Sequence, residues 1–207
     1  MRVIFLGDSG TGKTSIINRF INNKFDENLS STPGINLSIK EIKIKDGNTI
    51  TLKLLDTCGQ EKYRALAKSY FRNADAVIFV FSINDKESFE NIKNWINLFK
   101  KNHSDEVYAP MYIAGNKSDL EKKISNDMIN QFKEEYKSFK YYETSAKDNN
   151  RINEIFEELA IDLYKILVEE GRTKSKNNIK LGKYKKVKKN EGNCICSSKS
   201  EFTKDKD

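Results

Sequence analysis

The sequence predicts an α/β domain of three layers: a six-stranded, mostly parallel sheet with one antiparallel edge strand, covered on both faces by about five helices. Three observations predict it. Apolar runs of strand length alternate with helical stripes along residues 1–170, the order in which crossover helices build a parallel sheet. One run, Ala76 to Phe81, is apolar without interruption, as a strand buried on both faces must be. A single hairpin signal, Asp46-Gly47-Asn48, separates two alternating segments, so one strand joins its neighbour antiparallel.

The elements follow in order. Val3 to Leu6 is the first strand and Ser15 to Asn22 the first helical pattern. Between them Gly7-Asp8-Ser9-Gly10-Thr11-Gly12-Lys13-Thr14 has the G-x-x-x-x-G-K-[ST] spacing of a phosphate loop, in the strand-to-helix context that spacing needs. Phe25 to Thr32 is polar, and Ser31-Thr32-Pro33-Gly34 favours an extended residue and then a turn. Ile35, Leu37, Ile39, Ile42 and Ile44 alternate with polar residues, and after the hairpin Thr49 to Leu55 returns. Asp56-Thr57-Cys58-Gly59-Gln60-Glu61 follows, then a helical pattern from Tyr63 to Arg72 and the strand from Ala76. Phe89, Ile92, Ile96 and Phe99 form the core stripe of a helix near Ser88 to Lys101. The strand Met111 to Gly115 delivers Asn116-Lys117-Ser118-Asp119. A helix near Ser125 to Tyr136 and a strand, Lys140 to Thr144, lead to Ser145-Ala146-Lys147. Asn150 is expected to cap the last helix, whose stripe runs from Ile152 to Leu167. Each motif thus falls at the C-terminal end of a strand, where open parallel sheets bind ligands.

The residue types at these ends suit phosphate chemistry. Backbone N–H groups from Ser9, Gly10, Thr11 and Gly12 through Ser15 can point at phosphate oxygens, helped by the dipole of the helix that follows. Lys13 can reach the outer phosphates and the Thr14 hydroxyl can ligate magnesium. Asp56 can hold the same ion through a water, and Thr32, in a loop able to fold over the nucleotide, can complete its shell when a γ-phosphate is present. The Gly59 N–H can meet a γ-phosphate oxygen and Gln60 can orient a water for in-line attack, so Lys13, Gly59 and Gln60 are the expected catalytic groups.

Asn116, Lys117 and Asp119 address the base. A carboxylate presents two acceptors, which match the N1–H and 2-amino donors of guanine, whereas adenine offers an acceptor at N1 and no 2-amino group. Asp119 therefore selects guanine, the Lys117 stem can lie along the base, and the Ala146 N–H, between Ser145 and Lys147, can donate to guanine O6. The expected ligands are GTP or GDP with Mg2+.

Composition sets the boundaries. Residues 171–207 carry twelve Lys/Arg against four Asp/Glu, a net +8, while residues 1–170 hold 25 basic and 26 acidic side chains. The chain is read as a nucleotide-binding domain over 1–170 and a basic tail over 171–207. Three cysteines, Cys58, Cys194 and Cys196, are too few and too clustered for a disulfide framework. No run approaches the roughly 20 apolar residues that span a bilayer. A strand starting almost at Met1 leaves no room for a signal peptide and Arg2 excludes N-myristoylation, so a cytoplasmic protein is expected. With His103 the only histidine, histidine-based nucleophilic or zinc chemistry has little to stand on. The tail lacks the interleaved aromatics of a nucleic-acid surface. A metabolic phosphotransferase would need a cluster of lid arginines that the sequence does not contain.

With these residues assembled, residues 1 to about 170 resemble the Ras superfamily of small GTPases and, within it, the Rab family. Gly7-Asp8-Ser9-Gly10, Asp56 to Tyr63, and Tyr70-Phe71-Arg72-Asn73-Ala74 carry the Rab-like character. The resemblance implies a P-loop GTPase domain with slow GTP hydrolysis and a monomeric switch in vesicle traffic. Its partners would be a guanine nucleotide exchange factor, a GTPase-activating protein and effectors that read the GTP state. It also implies that Phe25 packs against the base and that Gln60 is catalytic. The chain departs from the family at Pro33-Gly34-Ile35-Asn36-Leu37 and at Leu55, so the effector-sensing aromatic triad becomes Leu37, Leu55 and Tyr70. Cys58 stands where alanine is usual and reads as a small packing substitution. Cys194-Ile195-Cys196 resembles the family's paired prenylation cysteines behind a basic linker, a two-signal anchor that would engage escort and dissociation-inhibitor proteins and place the protein on the cytosolic face of an endomembrane. Ser197 to Asp207 nevertheless follow, with no C-a-a-X end, and an unmodified, solvated tail is the other reading. A GTP-binding scaffold that does not cycle on membranes is the alternative to the switch as a whole.

Overall fold

The computed structural model describes residues 1–44, 47–59, 70–104 and 108–169. The chain divides into two units, Met1–Thr173 and Lys174–Asp207, and all described residues belong to the first. Six strands, β1 (Arg2–Leu6), β2 (Ile35–Lys43), β3 (Thr49–Thr57), β4 (Ala76–Ser82), β5 (Met111–Asn116) and β6 (Lys140–Glu143), form one sheet in the order β2-β3-β1-β4-β5-β6. Only β2 and β3 pair antiparallel; the other neighbours are parallel. The expected edge strand is therefore β2. Its hairpin closes with Gly47 at φ +79° and the Ile44 N–H donating to the Asn48 carbonyl at 2.9 Å; Asp46 lies outside the described residues.

Four helices are present among the described residues, α1 (Lys13–Asn22), α2 (Lys86–Asn102), α3 (Asn126–Glu135) and α4 (Ile152–Glu169), against about five expected. The helix read over Tyr63 to Arg72 falls largely in 60–69, outside the described residues. Side-chain alternation along the central strands explains the layers. Val3 and Phe5 enter one core with Ile16, Phe20 and Phe156, under α1 and α4. Ile4 and Leu6 enter the other with Phe89, Ile96 and Phe132, under α2 and α3. Every residue of β4 is buried, which is why its sequence shows no alternation. Phe20 of α1 stacks on Phe156 of α4 at 3.7 Å between ring centroids, tying the helix behind the phosphate loop to the last helix.

Helix starts follow local chemistry. The Asp85 carboxylate accepts from the N–H groups of Glu87 (3.1 Å) and Ser88 (3.4 Å), and the Ser125 hydroxyl accepts from Met128 N–H at 3.3 Å. Asn150 does not cap α4. It lies one residue further out and exchanges backbone hydrogen bonds with Ser145 (2.9 and 3.2 Å), while Arg151, at φ +54°, precedes the helix and pairs with Glu154 at 2.8 Å. Closing the Ser145–Asn150 loop takes the Asn150 backbone out of line with the helix.

Truncating a core residue far from the strand ends tests the packing. Leu159→Ala, at a fully buried position of α4, is expected to lower unfolding free energy by about 2–5 kcal/mol, whereas Val168→Ala, 47% exposed on the same helix, is expected to cost under about 1 kcal/mol; urea unfolding followed by circular dichroism measures both.

Candidate functional site

Because β1, β3, β4, β5 and β6 run parallel, their C-terminal ends share one edge, and the segments after them enclose a cleft of about 400 Å3. The volume lies in the range of small-molecule sites. Ser9, Gly10, Gly12, Lys13, Thr14, Ser15, Phe25, Thr32, Gly59, Asn116, Lys117, Asp119, Ala146 and Lys147 line it. Three other candidates stand behind the wall, since Thr11, Asp56 and Ser145 are all buried. Gln60, Cys194 and Cys196 lie outside the described residues.

The phosphate loop is built to receive anions. Gly12 precedes α1 at φ +91°, and no side chain caps the helix, so its first N–H groups face the cleft unanswered. A Cβ on Gly12 would sit 2.3 Å from Asn116 Nδ2; only glycine allows that approach. Lys13 is buried and donates from Nζ to the carbonyls of Gly7 (2.9 Å) and Asp8 (2.8 Å). Burial lowers its pKa to about 8, against the opposing pull of Asp56 and Asp8. A phosphate beside Nζ would reverse that effect. The Asp8 side chain, unused in the sequence reading, accepts from Asn91 Nδ2 (2.9 Å to each oxygen) and from Trp95 Nε1 (2.7 Å) on α2. Three hydrogen bonds from two donor groups thus pin the loop to a helix more than 80 residues away.

The oxygens expected to hold a metal converge. Thr14 Oγ1 donates to Asp56 Oδ2 at 2.7 Å, the Thr14 and Thr32 hydroxyl oxygens are 2.7 Å apart, and Thr32 Oγ1 is 3.4 Å from the same carboxylate. Asp56 Oδ1 is buried with no hydrogen-bond partner, and burial raises the carboxyl's pKa despite the Thr14 hydrogen bond and Lys13. An orphaned carboxylate oxygen beside two hydroxyls suits a hard cation such as magnesium. Among the described residues no group of three His, Cys, Asp or Glu is placed to hold a metal; the set found here has one carboxylate and two hydroxyls. Gly59 packs against the phosphate loop so closely that a Cβ would lie 2.3 Å from Ser9 N and from Asp8 C. Glycine is thus demanded there by backbone contact alone. Cys58 is a buried free thiol whose backbone N–H donates to the Gly34 carbonyl at 2.9 Å, linking the two loops on either side of this oxygen cluster.

The far end is organised around Asn116 and Asp119. Asn116 Nδ2 donates to the Thr11 carbonyl at 2.9 Å, and its Oδ1 accepts from Thr144 Oγ1 and Ala146 N–H, each at 3.3 Å. The Asn116 amide therefore joins the phosphate loop to the base loops. Ser145 Oγ donates to Asp119 Oδ1 at 2.6 Å, orienting the carboxylate in the wall. Lys117 holds the left-handed conformation at φ +66°, a strained geometry typical of binding loops. Phe25 packs against the first core and lines the cleft. Sequence reading missed Arg19, which donates from Nε to the Ala146 carbonyl (2.7 Å) and from Nη2 to the Lys147 carbonyl (2.8 Å). It also missed Glu27, whose carboxylate meets Lys147 Nζ at 2.7 Å across the mouth of the cleft. An arginine on a polar helix face and an acid in a loop carry no motif signal; only the fold brings them to residues more than 100 positions away.

Of the three residues at the triad positions, Leu37 (57% exposed) and Tyr70 (40% exposed) reach the surface, whereas Leu55 is 5% exposed. Leu37 and Leu55 are register partners of the β2–β3 pair, and Leu55 belongs to the second core. Nothing large and aromatic is presented at that position.

The model of the Ras family matches residues 2–165. Ras-related protein Rab-9A of Rattus norvegicus is 34% identical over 175 residues, covering 83% of this chain and 85% of that protein. Ras-related protein Rab-13 of Bos taurus is 37% identical over 181 residues, 86% of each chain. Ras-related protein Rab-9B of Homo sapiens is 35% identical over 161 residues, 76% of this chain and 80% of that protein. With the strand-end cleft already described, these matches show that the chain belongs to the Ras family as a Rab-type small GTPase, an enzyme that binds guanine nucleotides and hydrolyses GTP.

Proposed function

We propose that this protein is a Rab-like switch of vesicle traffic whose GTP state is written by the groups in the strand-end cleft. The observation that carries the reading is that a phosphate loop with a buried lysine, the Thr14 and Thr32 hydroxyls backed by Asp56, and the Asp119 carboxylate backed by Ser145 line the same volume. Phosphates sit on the N–H groups of Ser9 to Ser15, and Lys13 exchanges its two carbonyl partners for phosphate oxygens. Thr14, Thr32 and Asp56 would hold a magnesium ion, which when bound neutralises phosphate charge. Gln60 orients a water in line with the γ-phosphorus. The water oxygen bonds to phosphorus, the bond to the bridging oxygen breaks, and GDP and inorganic phosphate leave, while Lys13 and the Gly59 N–H stabilise charge on the transferring oxygens. Loss of the γ-phosphate releases Thr32 and loosens the loop that carries it, which effectors read.

Guanine is selected by Asp119, with Lys117 along the base and the Ala146 N–H at O6. Exchange factors, GTPase-activating proteins and effectors are partners of the family in general; here the protein acts as a monomer, with Leu37 and Tyr70 in the effector surface. Residues 1–170 form the GTPase domain and 171–207 a basic tail. Prenylation of Cys194 and Cys196 anchors that tail to the cytosolic face of an endomembrane and requires an escort protein. What supports the anchor is the Lys-rich stretch ahead of the cysteine pair. Nothing favours the non-cycling scaffold.

Single-turnover hydrolysis tests the chemistry: Gln60→Leu is expected to slow phosphate release from preloaded GTP by about tenfold or more, and an unchanged rate would remove Gln60 from the mechanism. Asp119→Asn tests the base assignment. Ser145 keeps the amide oxygen on its side and leaves the amide NH2 facing the base, where it meets the 2-oxo group of xanthine instead of the 2-amino group of guanine. Competition binding is expected to show about a tenfold or greater loss for GDP with a gain for xanthosine diphosphate. For the tail, a mass spectrum of the C-terminal peptide from the native cell is expected to carry geranylgeranyl on Cys194 and Cys196; unmodified cysteines on the full tail would sink the membrane anchor.

A further inference from the structure

The loop that carries Ala146 is short and is closed at its base by the backbone hydrogen bonds between Ser145 and Asn150. Ser145 hydrogen-bonds Asp119, and the Ala146 N–H is 3.3 Å from Asn116 Oδ1, long enough to be shared with a second acceptor. What fixes the loop from behind is Arg19, in the last turn of α1. Its guanidinium reaches two successive backbone carbonyls, Ala146 from Nε and Lys147 from Nη2, at 2.7 and 2.8 Å. The remaining nitrogen, Nη1, donates to the Asn23 carbonyl at 2.9 Å, so the plane of the fork is set by the C-terminus of the same helix. Two charge-assisted hydrogen bonds from one rigid plane fix the orientation of both peptide groups, which a flexible ammonium cannot do. From the solvent side the Lys147 ammonium is drawn to Glu27 at 2.7 Å, in the loop that follows α1. The base loop is therefore gripped by residues of α1 and its continuation, the same helix whose start binds phosphate.

We propose that Arg19 is a positioning residue for guanine recognition: by holding the Ala146 and Lys147 carbonyls it fixes the backbone that follows the Ala146 N–H, so that this N–H, whose own peptide plane is held through the Ser145 carbonyl by Asn150, stays placed toward the 6-position of the base, and it slows release of the nucleotide. This rests on the assignment of the Ala146 N–H to guanine O6 made under Proposed function. Arg19 is not among the residues that line the cleft and acts through the loop.

The test is competition binding and dissociation kinetics on the full chain with two probes, GDP and 6-thio-guanosine diphosphate, whose sulfur is a weak acceptor at the 6-position. The unaltered protein is expected to favour GDP over the thio analogue by about three- to tenfold, one hydrogen bond's worth of discrimination. In Arg19→Ala and in Arg19→Lys, which keeps the charge but not the fork, GDP is expected to leave about tenfold faster or more, and the preference to shrink to within about twofold. A general weakening of the fold would speed release of both probes and leave their ratio intact. An undiminished ratio in Arg19→Lys would overturn the proposal even if Arg19→Ala failed to fold. Absence of any preference in the unaltered protein would instead overturn the assignment of Ala146 to the base oxygen, and the proposal with it.

Discussion

The buried amide of Asn116 is the interaction on which the site depends. It ends β5 at 1% exposure, donates to the Thr11 carbonyl and accepts from Thr144 and Ala146. Those three partners come from the phosphate loop after β1 and from the loop after β6, two segments with no strand pairing between them, since β1 and β6 are separated by β4 and β5. A buried polar group is strongly destabilising unless all its partners are present. The amide is satisfied only when both loops are in place, and Gly12 lets it come that near. The phosphate loop and the loop after β6 are thereby fixed at one separation.

Around this brace the site keeps several polar groups in positions that the protein alone does not satisfy well. Lys13 is buried as a cation with two carbonyls for company, Asp56 has one oxygen with no partner, and the N-terminus of α1 is uncapped. Each would be relieved by the opposite charge or acceptor: phosphate for the lysine and the helix N–H groups, a cation for the carboxylate. These three groups are therefore the ones with most to gain from a ligand. Preorganised charge of this kind stabilises a transferring phosphoryl group without reorganisation at the moment of reaction.

The loops on either side are linked by backbone as well as by side chains. Cys58 N–H to Gly34 carbonyl continues the β2–β3 pairing beyond Ile35↔Thr57, so ordering the loop that carries Thr32 acts on the segment that carries Gly59. On the other side Asn91 and Trp95 hold the Asp8 carboxylate, and Gly59 packs on the Asp8 backbone. A movement at either loop is met by a rigid element: the edge hairpin on one side, α2 on the other.

Much of this was legible in the sequence because it is local. Phosphate-loop spacing, the Asp56 and Asn116 motifs at strand ends and the uninterrupted apolar β4 each state their own structure through periodicity or turn chemistry, and the sheet, its antiparallel edge and most of the cleft lining follow from them. Asp119 pointed to guanine by hydrogen-bond complementarity alone. Tertiary structure decided the partners of side chains whose own sequence context is bland. Asn116 became a brace, Asp8 an anchor for α2, Arg19 a grip on the Ala146–Lys147 loop, and Leu55, at a position of the family's aromatic triad, a core residue; Asn150 gave up a cap to close a loop. For Asn116, Asp8 and Arg19 the deciding contact spans tens of residues or more, and what selects it is the three-dimensional meeting of a donor with an acceptor, which no spacing along the chain encodes.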